Sequence, residues 1–197
     1  MRFIHCLFVA ILTAGMTWAA EPVKKPIPSM RPALLVIDVQ KAYLPMMDDQ
    51  GKENALELIN AVMDLFRERG FPVIRVYATD PDWGPPPGTP DFEFPDTLKV
   101  KPDDPKVVKT RASSFKGTDL EKMLKADGIN TLFLTGLSAT GCVLATYMEA
   151  EDLGYDTFMV RRAVMSPDAR HTTAVQEFTN TIPYAAVKVM LDGAARN

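Results

Sequence analysis

The stretch Ala33-Leu34-Leu35-Val36-Ile37 is apolar at every position and stops at a carboxylate, Asp38. A strand with one face in water alternates apolar and polar residues, so an unbroken run must be covered on both faces. The downstream residues supply the covers. Residues 54–69 place Ala55, Leu58, Ile59, Val62, Leu65 and Phe66 at helical spacing, and Gly70 is a stop signal. Residues 71–78 read as a second strand and Lys106-Val107-Val108-Lys109 as a third. Thr118-Asp119-Leu120-Glu121 has the form of a capping box, opening a helix that runs to about Asp127 before Gly128. A fourth strand is expected over Thr131–Thr135, a tight turn over Gly136–Gly141, a helix over Cys142–Leu153 and a fifth strand over Tyr155–Val160. Ser166-Pro167 reads as a helix start, with Ser166 as N-cap and the helix reaching about Asn180. Tyr184–Leu191 reads as a sixth strand. Such alternation predicts an α/β fold: a three-layer, doubly wound, mostly parallel six-stranded sheet with helices on both faces, Rossmann-like.

The segment 80–105 interrupts this rhythm. It holds half of the chain's 16 prolines together with Trp83, Phe92 and Phe94. Aromatic residues are scarce in disordered linkers, so it is expected to be a long ordered loop. The N-terminus stands apart. Met1-Arg2 is followed by a mostly apolar stretch, Phe3 to Met16, and then by Thr17-Trp18-Ala19, with small residues at the −3 and −1 positions of a cut after Ala19. That is the pattern of a secretory signal peptide, and the apolar stretch is short for a bilayer span. The expected organisation is a signal peptide over residues 1–19, an exposed lead-in over 20–31 and one domain over 32–197. A cut after Ala20 is the alternative. Export to the periplasm or beyond follows, with no membrane contact once the signal is removed. The net charge of −3 offers no basic footprint for nucleic acid.

Of the two cysteines, Cys6 leaves with the signal. A lone Cys142 in an oxidising compartment has no disulfide partner. It is either a small buried hydrophobe or a working group. Its position favours work: it starts a helix after a glycine-bounded turn, where unpaired amides favour a thiolate and can stabilise an oxyanion. Asp38 closes an apolar strand, where a carboxylate is costly unless paired or used. Lys109 closes the third strand. Taken singly, Asp38 could be a loop residue accepting backbone hydrogen bonds and Lys109 a solvated lysine. Together, all three fall at strand carboxyl ends, where α/β sheets bind ligands, and a lysine near Asp38 would hold it ionised.

From about Pro32 to Leu191 the chain resembles the isochorismatase-like cysteine hydrolases. The matching pieces are Leu35-Val36-Ile37-Asp38-Val39-Gln40, Lys109 with Ser114-Phe115-Lys116-Gly117-Thr118-Asp119-Leu120, Gly136-Leu137-Ser138-Ala139-Thr140-Gly141-Cys142-Val143, Gly154-Tyr155, and Ser166 through His171. The resemblance implies a triad of Cys142, Asp38 and Lys109. In it the aspartate takes the thiol proton, the thiolate attacks an amide-like carbonyl, and water cleaves the acyl-thioester. It also implies a cis peptide bond between Leu137 and Ser138, with the Ser138 and Cys142 amides as oxyanion hole. His171 is implied to be structural.

Departures from the family narrow the reading. Nicotinamidase-like members hold a metal through an aspartate and histidines, whereas no histidine lies between Val39 and Arg170 here. No metal and no cofactor are therefore expected. Relatives often carry an acidic residue where this chain has Arg161-Arg162. Tyr43, Trp83 and Phe92 are candidates to wall a substrate pocket, or equally to be loop core. The expected function is cleavage of a C–N bond in a small amide, ureido or carbamoyl compound by a homo-oligomeric enzyme. Isochorismatase-type vinyl ether hydrolysis and a non-catalytic binding role are the alternatives. Without a Cys-x-x-Cys, a thiol–disulfide exchanger would lack its resolving partner.

Overall fold

The computed structural model describes residues 29–82 and 84–196. The expected signal peptide, residues 20–28 of the lead-in, and Trp83 lie outside the described residues. Ser29 and Arg31, at the end of the lead-in, are exposed.

Six strands form one parallel sheet: β1 (Pro32–Ile37), β2 (Val73–Ala78), β3 (Lys106–Lys109), β4 (Thr131–Leu137), β5 (Asp156–Met165) and β6 (Thr181–Ile182). Their order is β3-β2-β1-β4-β5-β6. The central strand β1 pairs in parallel with both β2 and β4, which explains why each of its residues is buried. Its side chains divide between two cores. Leu34 and Val36 pack with Ile59, Val62 and Phe66 of helix α1 (Asp49–Glu68) and with Val187 and Leu191 of α5 (Tyr184–Ala194). Ala33, Leu35 and Ile37 point the other way. They pack with Leu120 and Leu124 of α2 (Leu120–Ala126), Val143 and Tyr147 of α3 (Cys142–Asp152) and Val175 of α4 (Ala169–Phe178). Helices thus cover both faces, giving the three layers that an all-apolar central strand requires.

Several boundaries differ from the sequence reading: α1 begins five residues earlier, β5 runs on to Met165, and three differences have a clear physical reason. Residues 184–191 form helix α5, and the sixth strand is the two-residue pair Thr181–Ile182. The period decides it: Val187 and Leu191, four apart, are buried, while Val189 between them is 70% exposed. A strand would have buried alternate residues. The cap of α4 is Asp168, whose side chain accepts the Arg170 N–H at 2.8 Å. The Ser166 hydroxyl is engaged instead with Asp168 O and Thr172 Oγ. Helix α2 has Asp119 at its cap with no side-chain bond, so the expected capping box is not made; Thr118 Oγ accepts the Leu120 N–H and donates to Ser114 O.

The described residues of the proline-rich loop are packed through its aromatics. Phe92 and Phe94 stack on Tyr77 at 5.1 and 4.3 Å between ring centroids, and Lys106 Nζ sits 4.2 Å above the Tyr77 ring. The Asn60 amide on α1 holds Thr97 O and Lys99 N at 2.8 Å each.

Candidate active site

The sheet order places a topological switch between β1 and β4, where the chain leaves β1 to one side and β4 to the other. Asp38 follows β1 directly. Its amide donates to Val76 O at 2.9 Å, and its backbone takes φ 55°, a left-handed conformation that aspartate tolerates better than most residues. Beyond it, the Gln40 amide bonds the Ala78 backbone on both sides, Nε2 to O at 2.9 Å and Oε1 from N at 2.7 Å. That buried side chain continues the β1–β2 pairing past the strand end and fixes the direction of Asp38.

Lys109, from β3, reaches across β2 to the same place. Its Nζ lies 2.8 Å from Asp38 Oδ2, with both side chains almost wholly excluded from solvent, and it also donates to Arg111 O at 3.1 Å. Asp38 Oδ1 has no hydrogen-bond partner among the described residues. Besides Lys109, the side chain that acts on this carboxylate is the Cys142 thiol, on the first residue of α3. The structure therefore brings together the three residues singled out from sequence.

Burial pushes the Asp38 carboxyl above its ordinary range, with Lys109 pulling against it. Burial and the Asp38 charge push the Cys142 thiol up to about 11, again opposed by Lys109. The pull of the helix N-terminus is outweighed by desolvation and by the neighbouring carboxylate, so at neutral pH the resting thiol is protonated. Tyr43 is pushed up to about 12 by burial, then by the charges of Asp38, Cys142 and Asp80.

The turn into α3 carries a cis peptide bond at Leu137–Ser138. Gly136 has φ 110°, and a Cβ there would meet Ile37 O at 2.1 Å, so only glycine fits where β4 passes the end of β1. Ala139 N donates to Met165 O, and Gly141 N and Val143 N both donate to Ser138 O. Among the described residues the Ser138 and Cys142 amides donate no hydrogen bond, and α3 has no side-chain cap.

Tyr43 also lines a cavity of about 550 Å³ with Ala42, Met46, Pro85, Pro86 and Asp91. The proline-rich loop is held over it by Lys41 N to Glu93 O and Ala42 N to Asp91 O. Phe92 does not line this cavity. It is 1% exposed, in the core beneath the loop. Arg161 and Arg162 are exposed in an irregular stretch where the β4–β5 register shifts, and Arg162 has φ 65°. No three His, Cys, Asp or Glu side chains converge among the described residues, so these residues do not fit the metal site of nicotinamidase-like proteins. Gln40, Ser114 and Thr146 organise the site without having been singled out individually. Two of them fall within motif pieces, but only tertiary contacts reveal what they hold.

The pair itself is testable through stability. Lys109→Ala leaves a buried carboxylate without its partner and is expected to destabilise the fold by about 3–5 kcal/mol in urea unfolding. Asp38→Leu/Lys109→Met, which removes both charges, is expected to recover most of that loss. A double variant less stable than Lys109→Ala would refute a pair retained at the expense of stability.

The family model for the isochorismatase domain matches residues 32–188. The isochorismatase family protein YrdC of Bacillus subtilis is 36% identical over 138 residues, covering 66% of this chain and 72% of that protein. The ureidoacrylate amidohydrolase RutB of Agrobacterium fabrum is 26% identical over 193 residues, covering 78% and 85%. A probable inactive nicotinamidase of Arabidopsis thaliana is 28% identical over 173 residues, covering 75% and 88%. The crystal structure of N-carbamoylsarcosine amidase from Thermoplasma acidophilum superposes with a TM-score of 0.68 at 27% identity, covering 78% of this chain and 95% of that one. By its sequence over residues 32–188 and by its fold, the chain belongs to the isochorismatase family.

Proposed function

We propose that this protein is an exported cysteine amidohydrolase that cleaves a C–N bond in a small amide, ureido or carbamoyl compound. The observation that carries the reading is the arrangement around Asp38: one oxygen held by Lys109, the other without a conventional partner, and a protonated thiol beside it. A carboxylate whose affinity for protons is raised by burial is suited to take one from sulfur.

As substrate binds, Asp38 accepts the Cys142 proton and the sulfur attacks the carbonyl carbon. The oxyanion is met by the Ser138 and Cys142 amides. Collapse expels the nitrogen, which takes the proton from Asp38, leaving an acyl-thioester on Cys142. Asp38 then takes a proton from water, and the hydroxide cleaves the thioester. The released thiolate recovers the proton as the acid departs. Lys109 keeps Asp38 in place throughout. No step passes through a metal. The names of two relatives, a ureidoacrylate amidohydrolase and an N-carbamoylsarcosine amidase, support the substrate class. The cysteine also favours it, because vinyl ether hydrolysis does not need a nucleophilic sulfur.

The direct test is ammonia or amine release from a panel of small amides and ureides, with reductant and a chelator present. Release by the mature protein, lost by more than about 10³-fold in Cys142→Ala, is the expected result. Turnover that survives Cys142→Ala would favour ether-type chemistry. No turnover of any compound by folded protein would favour a binding role.

The reactive form carries one proton between Asp38 and Cys142, so kcat/KM falls when both are protonated and again when neither is. The acid limb is therefore expected above the ordinary carboxylate value near 3.8, because the Asp38 pKa is raised. The alkaline limb is expected near pH 11. An alkaline limb near pH 8 would contradict the assignment.

The export reading rests on the N-terminal pattern at residues 1–19. Expression of the full chain in a bacterial host is expected to yield periplasmic protein beginning at Ala20 or Glu21 by intact mass. Unprocessed protein confined to the cytoplasm would remove it.

A further inference from the structure

In the sheet, β3 and β4 are three positions apart, which at about 4.8 Å per strand separates their ends by roughly 14 Å. Pairing alone therefore cannot hold the Lys109 segment against the turn that carries Cys142. The loop after β3 crosses the gap. At its start, Lys109 Nζ grips Arg111 O and Asp38. At its far side, Ser114 meets Thr146, one turn into α3. Ser114 N lies 3.0 Å and Ser114 Oγ 2.9 Å from Thr146 Oγ, and Thr146 Oγ lies 2.7 Å from the carbonyl of Cys142 itself. Both side chains are fully buried. Thr118 Oγ holds Ser114 O from the other side at 2.6 Å.

Proton counting fixes the direction of these bonds. Thr146 has one hydroxyl proton, which goes to the Cys142 carbonyl because that group can only accept. The Ser114 hydroxyl must then donate to Thr146 Oγ, as the Ser114 N–H does. Thr146 is thereby saturated, with one bond donated and two accepted, and it has a single orientation.

We infer that the Ser114–Thr146 pair is a positioning device, clamping the Lys109-bearing loop to the backbone of Cys142 and so fixing the nucleophile relative to the Asp38–Lys109 pair. The inference rests on the proposed role of Cys142 as nucleophile. Neither Ser114 nor Thr146 touches the reacting atoms. Their effect is geometric, and a displacement of about 1 Å at a reacting group can cost about 10²-fold in rate.

The test compares Thr146→Val, which keeps the shape and removes the hydroxyl, with Thr146→Ser, which keeps the hydroxyl, and with Ser114→Ala. Each is assayed for amide hydrolysis and for the pH dependence of Cys142 alkylation by iodoacetamide. Thr146→Val is expected to lower kcat by about 10–100-fold with little change in KM. It should also move the alkylation midpoint down from about 11, as the thiol loses its burial and its register with Asp38. Thr146→Ser should restore both, and Ser114→Ala should shift both in the same direction by less. A folded Thr146→Val variant with the parent's kcat and midpoint would overturn the inference. If Thr146→Val does not fold, an unshifted midpoint in Ser114→Ala would do the same. If the parent protein hydrolyses nothing, the proposed activity fails while the alkylation profiles still decide the clamp.

Discussion

The ion pair between Lys109 and Asp38 is buried to a degree that is unfavourable unless other groups compensate. Removing two charges from water costs several kcal/mol each, and their attraction recovers this only with good geometry. The surrounding structure supplies that geometry. The apolar β1 delivers Asp38 at the sheet edge, Gln40 locks the neighbouring backbone to Ala78, and the Arg111 carbonyl accepts a second bond from Lys109. One oxygen of Asp38 is nonetheless left without a conventional partner. A fold selected for stability alone would have satisfied that oxygen or replaced the pair with apolar residues. Its retention beside a thiol is the physical basis for reading the site as reactive.

The electrostatics have their origin in the same burial. Desolvation raises both Asp38 and Cys142, so the thiol keeps its proton against the pull of the helix N-terminus. A thiol in this form oxidises far more slowly than a thiolate would. In the proposed reaction, the amides of the turn and of the first residue of α3 act on charge that appears as the sulfur attacks the carbonyl, when their effect would be catalytic.

Much of this was legible in the sequence. The unbroken run 33–37 required a strand covered on both faces, and the glycine-bounded turn before Cys142 located the nucleophile candidate. What was not legible has definite causes. Residues 184–191 mix valine with alanine and methionine, and whether they obey a period of two or of 3.6 depends on which face is covered. The N-cap of α4 lies at Asp168 because Ser166 is drawn into bonds with Asp168 O and Thr172, a tertiary choice that no local rule encodes. Phe92 was a fair candidate for a pocket wall, yet Tyr77 on β2 claims its ring. How far the Cys142 thiol is raised was not legible, because a helix N-terminus is visible in sequence, whereas a neighbouring carboxylate and the depth of burial are not.

The central claim is that Cys142 rests as a thiol beside an ionised, lysine-held Asp38. The most direct measurement is the thiolate absorbance near 240 nm as a function of pH, with Cys142→Ala as blank. The Cys142 signal is predicted to rise with a midpoint near 11, and at a lower pH in Asp38→Asn, where the carboxylate charge is gone. A thiolate already present at pH 7 in the parent protein, unaffected by Asp38→Asn, would contradict the claim.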